Sequence, residues 1–137
     1  MYYDSMTIKY GLLCDYASVD IGGKNNYIGV FQNININKQD NPDCLSPTFF
    51  AGVHITDATV GSYNLKLKIQ SPNSAKDSIE VATGIFTLTP ENMPEDATVS
   101  IILPIKPVKL DSPGMWGLKL EINGKDQDLT SLRVKYV

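Results

Sequence analysis

The chain is poor in the residues that carry most enzyme chemistry. It has one histidine, His54, and two cysteines, Cys14 and Cys44, in 137 residues. Nucleophilic catalysis of the Ser/Cys–His type needs a histidine beside a hydroxyl or thiol, with a third group orienting it. Only Asp57 lies near His54 in sequence, at the end of a predicted strand. His54 sits between Val53 and Ile55 and points opposite to them, which makes it a surface or interface residue. Structural zinc draws on close pairs such as C-x2-C or H-x3-H, and none occurs. Two cysteines make no disulfide framework, so both are read as reduced thiols of a cytoplasmic protein.

Basic charge is also scarce. Twelve Lys and Arg stand against fifteen Asp and Glu, a net charge of -3. Binding to a nucleic-acid backbone normally needs a basic excess, so no nucleic acid is expected as partner. Long apolar runs are missing. The longest, Val99 to Ile105, is broken by Ser100 and Pro104, whereas a membrane helix needs about 20 apolar residues. No membrane partner is expected. The opening Met1-Tyr2-Tyr3-Asp4 has no basic segment leading into an apolar one, so no secretory signal is read there. The phosphate-cradling G-x-x-x-x-G-K-S/T, the dinucleotide G-x-G-x-x-G and the hydrolase G-x-S-x-G are all missing. Gly22-Gly23-Lys24 reads as a hairpin turn, because no helix follows to offer its N-terminus to a phosphate. No cofactor and no enzyme activity are expected.

Helical periodicity is nearly absent. Thr89-Pro90-Glu91 is the one helix start, and Pro94 follows within a turn or two. What remains is alternation with a period of two, which sends one set of side chains to a core and the other to water. Trp116, Leu118, Leu120 and Ile122 alternate with Gly117, Lys119 and Glu121. After Asn123-Gly124 and a short polar loop, Leu132, Val134 and Tyr136 alternate with Arg133 and Lys135. This is a closing hairpin. Upstream, Ile8, Tyr10, Leu12 and Cys14 share one face, and Ala17, Val19 and Ile21 share the other. A bulge near Asp15-Tyr16 accounts for that change of phase. Further strands are read over 27–37, 49–56, 63–69, 79–88 and 97–103. Pro104 and Pro107 confine the next stretch to an edge or a linker. The length suits one domain, residues 1–137. The fold class is all-β, an immunoglobulin-like β-sandwich of eight or nine mostly antiparallel strands.

Loop carboxylates recur: Asp40 and Asp43, Glu95 and Asp96, Asp126 and Asp128. Calcium could use such oxygens, but turns favour Asp for backbone reasons, and the solvated turn is the preferred reading. Two surface patterns stand out. The polar faces of three strands carry Lys66, Lys68, Lys119, Arg133 and Lys135 against Glu121 alone, an expected basic face. Lysine protection of exposed strands explains it first, and docking of an acidic partner second. Several strands are also apolar on both faces. Ile28 and Val30 oppose Tyr27 and Phe31, and Ala51 and Val53 oppose Phe50. A two-layer sandwich buries one face of each sheet. The surplus needs a loop, the proline-rich segment or another chain as cover. Tyr27, Phe31, Phe50 and His54 are the candidate interface, and a protein partner or homo-oligomer is expected there.

The stretch Leu12-Leu13-Cys14-Asp15-Tyr16-Ala17, then Gly23-Lys24, then Ile28-Gly29-Val30-Phe31, resembles the DxA…GGKxxxIGVF opening of a family of small bacterial β-sandwich proteins of unknown function. Pro113-Gly114-Met115-Trp116, Glu121-Ile122-Asn123-Gly124 and Leu132-Arg133-Val134 fit the close of that family, with Trp116 where an aromatic is expected. The resemblance spans nearly the whole chain. It implies a cytoplasmic β-sandwich and transfers no catalytic residue. The reading for function is a non-enzymatic protein-interaction or scaffold module. The alternative is a carbohydrate- or small-ligand-binding module using Tyr, Trp116 and loop carboxylates.

Overall fold

In the computed structural model, described over residues 6–137, the chain forms nine strands and no helix. The opening Met1-Tyr2-Tyr3-Asp4 lies outside the described residues. The strands are β1 (Thr7–Val19), β2 (Asn25–Phe31), β3 (Asn33–Ile36), β4 (Phe49–Thr56), β5 (Gly61–Gln70), β6 (Ile79–Leu88), β7 (Val99–Ile105), β8 (Gly114–Ile122) and β9 (Lys125–Tyr136). They make a four-stranded sheet in the order β2-β1-β4-β7 and a five-stranded sheet in the order β3-β9-β8-β5-β6. The five-stranded sheet curls into a half-barrel. Pairing is antiparallel except for β3 with β9, which run parallel.

One core lies between the sheets. From the four-stranded sheet come Leu13, Phe49, Ala51, Val53, Ile55, Leu103 and Ile105. From the other come Tyr63, Leu65, Leu67, Ile69, Trp116, Leu118, Leu120, Leu132 and Val134. Their period of two is what selects these faces. Trp116 is only 1% exposed, and its indole N–H donates to the Ser112 carbonyl at 2.9 Å. Pro104 sits on β7, an edge strand, where a missing N–H leaves no ladder bond unmade.

Three readings of the sequence change here. The strand expected over 27–37 is two strands in different sheets, because the chain crosses from one to the other at Gln32. The helix start at Thr89 makes only a turn, in which the Thr89 N–H donates to Asn92 Oδ1 at 2.7 Å. The closing hairpin has no polar loop. Asn123 and Gly124 alone turn it, with φ of 48° and 87°, the two-residue turn that Asn-Gly favours. β9 therefore starts at Lys125, and the pairing slips between Leu118 and Lys119. That slip puts both Leu129 and Leu132 in the core although they lie three apart.

At the far end of β9, Tyr136 donates its hydroxyl to the Leu110 carbonyl at 2.9 Å. Burial, and then the Cys44 thiol beside it, push its phenol up to about 12 from an ordinary 10. The unfolded chain ionises first, so this contribution is complete below pH 10 and lost as pH rises to about 12. Urea midpoints should fall across that window, and Tyr136→Phe should flatten the fall. An unchanged slope in the variant would mean that other groups carry the alkaline loss.

Candidate interaction surfaces

β4 shows its core residues inward and Phe50, Gly52, His54 and Thr56 outward, on the outer face of the four-stranded sheet. The register sets Tyr10 of β1 across from His54, and their rings stack at 4.8 Å with 3° between planes. His54 Nδ1 lies 2.9 Å from Ser100 Oγ on β7. Tyr16 meets Phe50 edge-on at 5.9 Å. Tyr10 is 45% exposed and Tyr16 53%, so this aromatic row is open to solvent in part. Among the described residues, His54 is held by the Tyr10 ring and the Ser100 hydroxyl, and no carboxylate hydrogen-bonds to it, so this serine–histidine pair has no third, orienting member.

The β1–β2 hairpin covers the rest of this face. Asp15 and Gly29 drop out of the pairing between Cys14↔Val30 and Tyr16↔Ile28. Gly29 has φ of 69°, a left-handed value that suits glycine, and the Asp15 side chain fills the space where its Cβ would be. The register is unchanged across this gap, so the bulge expected near Asp15-Tyr16 is not there, and the slip in β1 falls instead between Ile8 and Tyr10 in its pairing with β4. Asp15 and Gly29 belong to the Asp15-x-Ala17 and Ile28-Gly29-Val30 motifs. Beyond them the ring of Tyr27 comes down onto Gly52: a Cβ there would lie 2.6 Å from Tyr27 Cε1. Cys14, paired with Phe50, is fully buried beneath this cover. Burial, then the Asp15 carboxylate, push its thiol above the ordinary value, which makes it inert rather than reactive.

The four residues of the expected interface therefore divide. Tyr27, Phe50 and His54 lie on the outer face, half-buried. Phe31 does not. Its ring packs edge-on against Phe49 at 5.5 Å and against the core. Phe31 pairs with Leu13, a core residue, and so takes the inward side. Tyr10 and Tyr16 belong to the row, though the interface expected from sequence omitted them.

The basic residues do share one sheet, but acids interleave with them. Lys66 lies across from Glu121, and Lys119 across from Asp128. Lys68 reaches Asp126 at 2.7 Å and Glu121 at 3.3 Å. Asp126 first, then Glu121, hold its ammonium in the charged form. Arg133 and Lys135 stand apart at the other end of β9, across from Asn33 and Asn35. The expected basic face is thus a mixed one, because Asp126 and Asp128 lie in a strand and not in a loop. An open polar concavity of about 570 Å³ lies on this sheet, lined by Asn64, Lys66, Thr83, Glu121 and Asn123 among others. Among the described residues, no three His, Cys, Asp or Glu side chains cluster closely enough to hold a metal ion, and no helix is long and apolar enough to cross a membrane.

Fold and surfaces together define a two-sheet all-β protein with an aromatic row on the outside of its smaller sheet. The chain belongs to a family of unknown function (DUF6941), whose model matches residues 9–135. No curated protein matches it. Among solved structures it is similar to a β-glucosidase from Listeria innocua in complex with glucose, at 12% identity and a TM-score of 0.49. The match covers 77% of this chain and 15% of that one, so the chain spans about 15% of the enzyme's length.

Proposed function

We propose that the chain is a non-enzymatic protein-interaction or scaffold module of the bacterial cytoplasm, built as an immunoglobulin-like β-sandwich. Partners meet it on the outer face of the four-stranded sheet. The observation that carries this reading is the aromatic row of Tyr10, His54, Phe50 and Tyr16, left partly open after the hairpin has covered its neighbours. Tyrosines supply large contact area at small entropic cost, and exposed aromatic patches mark association surfaces. The carbohydrate- or small-ligand-binding alternative would rest on the polar concavity beside Lys66, since Trp116 is sealed in the core.

A photo-cross-linking side chain placed at Tyr16, and separately at Asn64 on the other sheet, tests the proposal in native cells. Position 16 should give a discrete adduct with another protein, and position 64 should give none. Equal labelling at both positions, or none at 16, would remove the outer face as the docking surface.

A further inference from the structure

Each sheet ends in two edge strands, and three of the four edges are guarded. β7 carries Pro104, and the Lys106 N–H donates to the Val81 carbonyl at 3.2 Å, stitching the β7 end to β6. β6 is occupied at its other end too, where Asn92 Nδ2 donates to the Thr87 carbonyl at 3.1 Å. β3 has only four residues. Short edges, prolines and covering contacts are the usual means by which proteins stop sheets from joining.

β2 has none of these. It runs for seven residues, Asn25-Asn26-Tyr27-Ile28-Gly29-Val30-Phe31, with no proline and no charged side chain. It pairs with β1 alone, and no described segment lies along its outer side. Ile28 is 59% exposed and Val30 57%. Its pairing with β1 keeps one register from Asn25 to Phe31, and the left-handed Gly29 is the one irregular backbone position in it.

We infer that the β2 edge is the docking site for a second copy of this chain, through antiparallel pairing of β2 with β2 about a twofold axis. This edge adjoins the aromatic row, since Ile28 stands across from Tyr16, but its pairing groups are the backbone of β2 and it has its own occupant. An antiparallel edge is its own complement under a twofold, so the same strand serves as both halves of the interface. None of the seven side chains of β2 is charged, so the strand brings no charge of its own against its copy, and the carboxylate beside it belongs to Asp15 of β1. The two sheets become one sheet of eight strands across the dimer. A seven-residue edge is about 23 Å long at the usual rise. Such a strip buries less than the ~800 Å² per partner of a stable complex. The dimer is therefore reversible and forms over a micromolar range of concentration.

The test is light scattering over a concentration series, on the wild type, Ile28→Lys and Ile85→Lys. Ile85 is an exposed residue of β6 and serves as the control. The wild type should pass from monomer to dimer. Ile28→Lys should raise the dissociation constant about tenfold or more, since like charges facing each other across an interface are costly. Ile85→Lys should leave it unchanged, and circular dichroism should show both variants folded. Single cysteines at Asn26, Ile28 and Val30 add a second readout. Native Cys14 and Cys44 are buried, so oxidised dimers can be traced to the new thiol. Cross-linking at these positions and not at an Ile85→Cys control supports edge pairing. A wild type that stays monomeric at every concentration overturns the inference and leaves the aromatic row to its own test. A dimer that Tyr10→Lys breaks and Ile28→Lys leaves intact also overturns it, and moves the contact between copies to the aromatic row.

Discussion

Trp116→Ala should cost about 3–5 kcal/mol of stability, the range for deleting a large aromatic from a packed core. The residue is 1% exposed, and its one polar atom is satisfied by the Ser112 carbonyl at 2.9 Å. Truncation removes the apolar area, opens a cavity between the sheets, and frees the Ser112 carbonyl from its donor. A domain of this size is stable by about 5–15 kcal/mol, so the variant sits near the edge of folding at ordinary temperature. Trp116→Phe separates the terms. It keeps most of the ring and loses the hydrogen bond, so it should cost about 1–3 kcal/mol. Trp116 is the only tryptophan, so unfolding has to be followed by far-ultraviolet circular dichroism in urea. A loss under 1 kcal/mol for the alanine variant would show that the ring contributes little to the core. The ligand-stacking role considered for Trp116 would then return.

That role illustrates where the sequence was legible. The alternation through Trp116, Leu118, Leu120 and Ile122 pointed to an inward ring, and inward it lies. All-β character, most strand positions and the proline edge follow from period and turn chemistry, which are local, whereas the slip in β1 lies between Ile8 and Tyr10 and not near Asp15. The errors arise where one residue breaks the period. The slip at Leu118/Lys119 moves β9 out of phase, so Lys125 to Ser131 read as loop although every residue of it is in a strand. The same slip hid the acids. With Asp126 and Asp128 assigned to a loop, the lysines looked unopposed, and only the register shows Lys68 held between Asp126 and Glu121. Phe31 departs from the expected interface because it stands across from Leu13 and packs on Phe49, while the Tyr27 ring reaches Gly52 on the outer face. The left-handed Gly29 between them has no signature in the period of the strand. The aromatic row itself is a product of long-range register. Tyr10 and His54 are far apart in sequence, and nothing local brings one across from the other.

Gly52→Ala should destabilise the chain in the wild-type background and do the reverse when Tyr27 is also removed. Gly52 lies in the middle of β4 and is not among the glycines at positive φ. Alone, its replacement by alanine should help, because glycine in a strand costs about 0.5–1 kcal/mol in backbone entropy. The Tyr27 ring overrides that gain. The added Cβ would stand 2.6 Å from Cε1, 2.9 Å from Cζ and 3.0 Å from the hydroxyl oxygen, well inside normal contact. The ring must lift, taking with it the Asn25 side chain that donates to its hydroxyl at 3.3 Å. Overpacking of this kind costs about 1–3 kcal/mol. Tyr27→Ala takes away the obstacle, so Gly52→Ala in that background should be neutral or stabilising by a few tenths. The coupling from a double-mutant cycle in urea should then be about 1 kcal/mol or more. The same lift should uncover Cys14, so its thiol should react faster with a water-soluble thiol reagent in Gly52→Ala than in the wild type. Additive effects and an unchanged thiol would mean that Tyr27 does not seat on Gly52. The hairpin would then not be the cover of that face, and the surplus apolar side of β4 would be left for a partner protein.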